Sequence, residues 1–212
     1  MKTKVKIELL APLHLGSGGA DVNVDAEVVH DEYGLPYFPA KRLKGLIYES
    51  ALEVLEMSKL SGSEFFAEQD LANLFKRTVD SSIELIIHDF YLANYEEMAK
   101  SWAYLQDKYG DIVTAKDVLL EYTDLRYQTA IDDKGITKEG SLRNLRVVDA
   151  GIVFEGNIEI SGGSEVHDII LALALKNLRN VGAKRNRGLG NVKCVLDENL
   201  GKIFKNTVER IK

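Results

Sequence analysis

Residues 145–196 read LRVVDAGIVFEGNIEISGGSEVHDIILALALKNLRNVGAKRNRGLGNVKCVL, and the architecture turns on them. Leu145–Ile160 gives two strand-like runs around Asp149-Ala150-Gly151, because short Val- and Ile-rich runs bounded by turn residues favour extended chain. Ser164 stands where an N-cap is needed before the apolar segment that follows; its hydroxyl can satisfy an orphan amide of the first turn. The spacing predicts a buried helix from there to about Asn180. Gly182-Ala183-Lys184-Arg185-Asn186-Arg187-Gly188-Leu189-Gly190 is a glycine-rich basic loop, and Asn191–Leu196 returns as a strand.

Working outward, residues 4–10 alternate Val5, Ile7 and Leu9 with Lys4, Lys6 and Glu8, the pattern of a half-buried strand. A glycine-bearing segment, Leu15–Gly19, and a polar stretch to Val29 follow, and Tyr33-Gly34-Leu35-Pro36 reads as a turn. From Lys41 to about Met57 the period becomes helical, with Leu43, Ile47, Ala51 and Leu55 four residues apart. Phe65–Phe75, Tyr95–Tyr109 and Asp117–Tyr122 are helical in character, whereas Ser82–Tyr91 is rich in Ile and aromatics and suits a strand. The order is that of a ferredoxin-like (RRM-like) β-α-β-β-α-β core. The expected fold is therefore α+β, one domain over 1–212, with a mostly helical acidic insertion over 58–122 and a protruding, thumb-like hairpin over 123–144, turning at Asp132-Asp133-Lys134-Gly135. Such a fold assigns no function by itself.

The chain has 212 residues, 45% of them hydrophobic and 28% charged, which excludes a disordered or low-complexity protein. The longest apolar run, Ile169–Leu175, is too short to span a bilayer, and MKTKVKIELLAP lacks a signal-peptide core. A cytoplasmic protein with no membrane partner is expected. Cys194 is the single cysteine, so neither an internal disulfide nor a cysteine-based zinc site is available. The formal charge is −6, but residues 49–124 hold 16 acidic and 6 basic side chains, a local −10 that leaves +4 for the rest. Ile169–Leu196 contains no acidic residue and carries Lys176, Arg179, Lys184, Arg185, Arg187 and Lys193. Local charge, rather than the total, sets the field at a docked ligand.

Several clusters can carry chemistry. In the basic loop, Gly182, Gly188 and Gly190 allow close main-chain approach, and Lys184, Arg185 and Arg187 offer charge-assisted bonds to phosphates. The alternative is a solvated turn that happens to be basic. Lys41, Arg42 and Lys44 open the first long helix; cations there are unfavourable unless a bound anion offsets the helix dipole. Asp21, Asp25, Glu27, Asp31 and Glu32 follow the glycine segment, and carboxylates beside a phosphodiester can hold a divalent cation or move a proton. Most acids in loops are merely solvated. His14, His30, His88 and His167 show no ligand spacing, Gly16–Gly19 fails the GxGxxG spacing, and no Walker lysine motif is present.

Leu13-His14-Leu15-Gly16-Ser17-Gly18, Asp25–Asp31, Gly34–Pro39, Leu43-Lys44-Gly45, Thr129–Asp132 with Gly140–Arg143, Gly151–Phe154 and Gly182–Gly190 resemble, in this order, the motifs of the RAMP superfamily of CRISPR proteins. Within it, the pattern is most similar to the repeating backbone subunit of type III effector complexes. The resemblance implies binding to CRISPR RNA and complementary target RNA, with other effector subunits and further copies of the chain as partners. It implies a thumb near Thr123–Asn144 and a guide backbone along Lys41, Arg42, Lys44, Gly182, Lys184, Arg185, Arg187, Gly188 and Gly190. It places a catalytic, metal-binding aspartate on Asp25, acting with Mg²⁺ or another divalent cation in cleavage of target RNA. The competing readings are a non-catalytic scaffold or capping subunit, a metal-independent CRISPR RNA processing endonuclease, and a module that binds no RNA.

Overall fold

Strict alternation makes Lys2–Leu9 a strand, β1, with Thr3, Val5, Ile7 and Leu9 buried and Lys2, Lys4 and Lys6 exposed. The computed structural model describes residues 1–77, 82–110 and 112–210. After β1 come α1 (Ala40–Ser61), α2 (Glu68–Leu74), β2 (Glu84–Ile87), β3 (Tyr91–Leu92), α3 (Tyr95–Tyr109) and α4 (Ala115–Leu120). The chain continues with β4 (Thr123–Gln128), β5 (Arg143–Val148), β6 (Val153–Ser161), α5 (Glu165–Asn177), a 3₁₀ turn at Arg185–Arg187, β7 (Val192–Leu196) and α6 (Glu198–Glu209). The architecture is α+β, with antiparallel sheets and packed helices.

The main sheet has the order β2-β6-β1-β7, with β3 also on β6, and every pairing is antiparallel. Ile7 lies opposite both Phe154 and Cys194, so the inward faces of three strands coincide. They join Leu43, Ile47 and Ala51 of α1 and Ile170 and Ala174 of α5 in one core. Burial within it pushes the Cys194 thiol up to about 12, which makes this cysteine a packing residue rather than a nucleophile. The outward face carries a ladder of ion pairs: Lys2 with Glu159, Lys4 and Lys6 with Glu155, and Lys193 with Glu8. None of the outward positions on the two central strands, β1 and β6, is aromatic, so the centre of this face lacks the stacking rings that RRM sheets present to bases.

The two strand-like runs within 145–160 do not pair with each other. β6 enters the main sheet, while β5 pairs with β4 in a separate two-stranded sheet, from Thr123 opposite Val148 to Gln128 opposite Arg143. On the side of β6 away from β1 the partner is β2, drawn from the Ile-rich stretch of the acidic segment. Alternation identifies a strand but carries no information about a partner some 70 residues away, which is a tertiary choice. At the far end of the β4–β5 hairpin, Asp132 Oδ1 accepts the amides of Lys134 and Ile136 at 2.9 and 2.8 Å and builds the expected turn.

Helix ends follow local chemistry. α1 stops where Gly62 adopts φ 71° and its N–H reaches the carbonyls of Ser58 and Lys59. Ser164 stands at the N-cap of α5 as expected, but its hydroxyl takes no first-turn amide; its backbone N–H donates to His167 Nδ1 at 3.0 Å. That helix ends at Asn177, short of Asn180, because Leu178 is extended and Asn180 bridges to Asn191.

Candidate nucleic-acid interface

Residues 12–17 are an irregular ribbon held on three sides. Leu13 and Val148 of β5 exchange backbone hydrogen bonds at 2.8 Å, Ala183 N–H donates to the His14 carbonyl at 3.1 Å, and Ser17 N–H donates to the Glu27 carbonyl at 2.7 Å. Opposite them stands the first part of α1. The result is an open cleft of roughly 670 Å³, lined by Gly16, Asp25, Glu27, Lys41, Arg42, Gly45, Glu49 and Gly182 among others. Three segments from residues 14–49 meet Gly182 and Ala183 of the basic loop there. Leu189 anchors the basic loop beneath it by packing with Leu145, Val147 and Ala26.

Asp25 is exposed on the cleft wall and pinned by Asn144: Asp25 N–H donates to Asn144 Oδ1 and Asn144 N–H donates to Asp25 Oδ2, both at 2.8 Å. The neighbouring acids have other partners. Asp21 bonds Lys116 Nζ at 2.5 Å, and that hydrogen bond holds its carboxyl below the usual range. Glu27 bonds the buried Arg146 at 2.6 Å, and Glu49 faces Arg185 at 3.7 Å. Asp31 accepts the amides of Tyr33 and Leu35 and the Tyr95 hydroxyl, so it braces the turn and α3. Burial and this hydrogen bond to Asp31 push the Tyr95 hydroxyl far above its ordinary range. Among the carboxylates lining the cleft, Asp25 alone lacks a cationic partner within the described residues.

The cations are divided by helix geometry. Lys41, Arg42, Gly45, Leu46 and Glu49 line the cleft, as residues spaced by four and eight on one helix face must. Lys41 and Arg42 are exposed, and their side chains make no hydrogen bond or ion pair among the described residues. Lys44 lies on another face; its Nζ donates to the Leu85 carbonyl of β2 at 3.3 Å, and burial, then Lys76, lowers its pKa. In the basic loop, Gly182 lines the cleft, Lys184 and Arg187 converge on Gln128 Oε1 at 2.7 and 3.3 Å, and Arg185 turns toward Glu49. Gly188 closes the 3₁₀ turn and Gly190 packs under the ribbon.

The sequence profile of the RAMP superfamily matches residues 6–193. The chain belongs to the RAMP superfamily. Its fold is similar to that of a chain in the cryo-EM structure of the type III-B Cmr-beta complex bound to cognate target RNA: 15% identity, TM-score 0.67, with 96% of this chain and 99% of that one covered. The apo Cmr-beta complex gives 16% identity and a TM-score of 0.65, with 94% and 98% covered. A comparison with curated proteins gives no match.

The residues of this cleft could hold a divalent cation only as a partly hydrated ion. No three His, Cys, Asp or Glu side chains converge as a metal cluster among the described residues. Mg²⁺, however, commonly keeps several waters and takes one or two carboxylates together with substrate phosphates. Asp25 matches that demand, with Oδ1 left outside the Asn144 pair.

Four residues of this RAMP chain gain importance from folding alone: Arg146, Asn144, Gln128 and Asp89. Asp89 Oδ1 accepts the Ala40 amide at 2.6 Å, so part of the anionic compensation at the start of α1 is internal. Only the α1 division was open to helical periodicity, which separates positions 41, 45 and 49 from 44 and 48.

Proposed function

We propose that this chain is an RNA-binding backbone subunit of a type III CRISPR effector complex that cleaves complementary target RNA with the help of a divalent cation. The observation that carries the reading is the cleft itself, where Asp25, bonded to Asn144 but to no cation among the described residues, shares the lining with Lys41 and Arg42, whose side chains have no partner among those residues, and with Gly182. A polyanion crossing it meets Lys41 and Arg42 on one wall and Asp25 on the other, with Glu27 and Glu49 already paired to Arg146 and Arg185. The order β1, α1, β2, β6, α5, β7 within one sheet supports the ferredoxin-like core, with the remaining elements as insertions into a single domain. The β4–β5 hairpin is the thumb, rooted beside Asp25 through Asn144.

In the proposed reaction RNA supplies its own nucleophile, the 2′-hydroxyl beside the scissile phosphate. A splayed nucleotide seated on Gly182 and Arg42 aligns that hydroxyl with the leaving 5′-oxygen, and orientation contributes a large part of the rate. Asp25 holds its carboxylate toward the phosphate, where it would bind the hydrated cation; that ion would supply charge stabilisation at the phosphoryl oxygens. The products are a 2′,3′-cyclic phosphate and a 5′-hydroxyl. A scaffold without catalysis is the second reading, and the reciprocal bonds between Asp25 and Asn144 favour it, since they also suit a purely structural latch.

The reading is tested by assembling the complex with guide RNA, labelled complementary RNA and Mg²⁺, with an EDTA control. Regularly spaced cuts that vanish in EDTA are expected, as is binding that weakens with salt. Guide and target binding without cuts leaves the scaffold; no binding rejects both readings.

Gly45 makes a second test of the same cleft. A Cβ there meets nothing within 4 Å, and glycine inside a helix costs about 0.5–1 kcal/mol relative to alanine. Gly45→Ala should therefore raise the melting temperature while weakening RNA binding, because the methyl occupies the cleft. Unchanged affinity in a filter-binding assay would mean that RNA does not approach this face of α1.

A further inference from the structure

Arg146 is an arginine with only 2% of its side chain exposed. A guanidinium held out of water is unfavourable unless it is paired and fully hydrogen-bonded, so its partners define what it is for. Its Nε donates to Glu27 Oε1 at 2.6 Å and a terminal nitrogen donates to Thr123 Oγ1 at 3.2 Å. The Thr123 hydroxyl in turn donates to the Leu119 carbonyl at the end of α4 at 2.6 Å. The Arg146 backbone is used as fully: its N–H donates to the Ala26 carbonyl at 3.0 Å, and its carbonyl lies 2.7 Å from His14 Nδ1. The glycine ribbon, the loop carrying Asp25, α4 and both strands of the hairpin thus meet on one residue.

The geometry points to Arg146 as a positioning residue for Asp25, an inference that rests on the catalytic reading above. It works in two ways. Arg146 N–H fixes the Ala26–Glu27 peptide, one residue beyond Asp25, while Asn144 fixes Asp25 itself, so the loop that carries the carboxylate is held to the hairpin root at both points. The guanidinium also pairs with Glu27, the cleft acid two residues from Asp25. Without that pairing, a second carboxylate would be free to repel the phosphate or divert the cation. A hairpin seated against a guide–target duplex would then carry its position to Asp25 through a buried charge pair rather than through solvated contacts.

The test uses the assembled complex, single-turnover cutting and separate measurement of target affinity. Arg146→Gln is expected to slow cutting about 100-fold, the scale of a misplacement of roughly 1 Å, with target affinity retained. The double variant Arg146→Gln with Glu27→Gln removes both buried charges and is expected to recover most of the rate, which guards against failure of the single variant to assemble. A structural role alone predicts that affinity and assembly fall together with the rate and that the double variant is no better. Cutting by Arg146→Gln at the wild-type rate, while Asp25→Asn is inactive, overturns the positioning role and leaves the catalytic reading standing. A wild-type complex that never cuts overturns both.

Discussion

Asp25→Asn should reduce target cutting to below about 1% of wild type, the scale seen when a charge-stabilising group is removed from an active site, while guide and target stay bound. The substitution is close to isosteric and keeps an oxygen for the Asn144 amide, whose bond to Asp25 Oδ2 is 2.8 Å. The latch therefore survives and only the negative charge is lost. Asp25→Ala removes the acceptor as well, but the site is exposed and water can replace it, so stability should fall by no more than about 1 kcal/mol. Comparing the two separates charge from latch. If Asn cuts as well as Asp and only Ala is impaired, Asp25 is a structural tie between cleft and hairpin, and the chain is a scaffold. If both variants are inactive with equal RNA affinity, the carboxylate acts on the phosphate or its cation.

This discrimination depends on contacts that span the chain, and they mark where sequence reading stops. β1, α1, α5 and β7 were legible because strong periodicity, the Ser164 cap and the alternation of Val5, Ile7 and Leu9 agree at every level. Arg146 was not. In the run Leu145-Arg146-Val147-Val148 an arginine reads as the solvent-facing member of an alternating strand, yet its carboxylate partner lies 119 residues away and draws it inward. Glu27 was correspondingly grouped with the free acids of its loop. The family resemblance points to Asp25, because its loop is local; what sets it apart in the structure is that Asp21 and Glu27 pair with cations and Asp31 braces a turn and α3, whereas the Asp25 carboxylate accepts from Asn144. That distinction exists only in three dimensions. The same holds for the basic loop, whose cations look like one patch in sequence but turn to different neighbours once the 3₁₀ turn forms.

Gly190→Ala should be the most destabilising single change in that loop. Gly190 sits at φ +74°, and a Cβ on it would lie 1.9 Å from the Val181 carbonyl oxygen and 3.0 Å from its carbon. Backbone cannot step aside as a flexible side chain can. The neighbouring segments are also bonded at this point, with Val181 N–H donating to the Gly190 carbonyl and Gly190 N–H to the Pro12 carbonyl, both at 2.8 Å. Relieving the clash breaks these bonds and shifts Gly182 and the ribbon it supports. Left-handed backbone costs a non-glycine residue about 1–2 kcal/mol, and with the clash a loss of about 3 kcal/mol or more in chemical denaturation is expected. Gly188→Ala is the matched control: its φ is +76°, but nothing lies within 4 Å of its Cβ, so only the conformational cost of about 1–2 kcal/mol applies. RNA affinity should collapse in the first variant and persist in the second. Equal losses of stability in both would mean that φ alone constrains the loop, and that close packing of Gly190 against Val181 contributes nothing to holding the cleft wall in place.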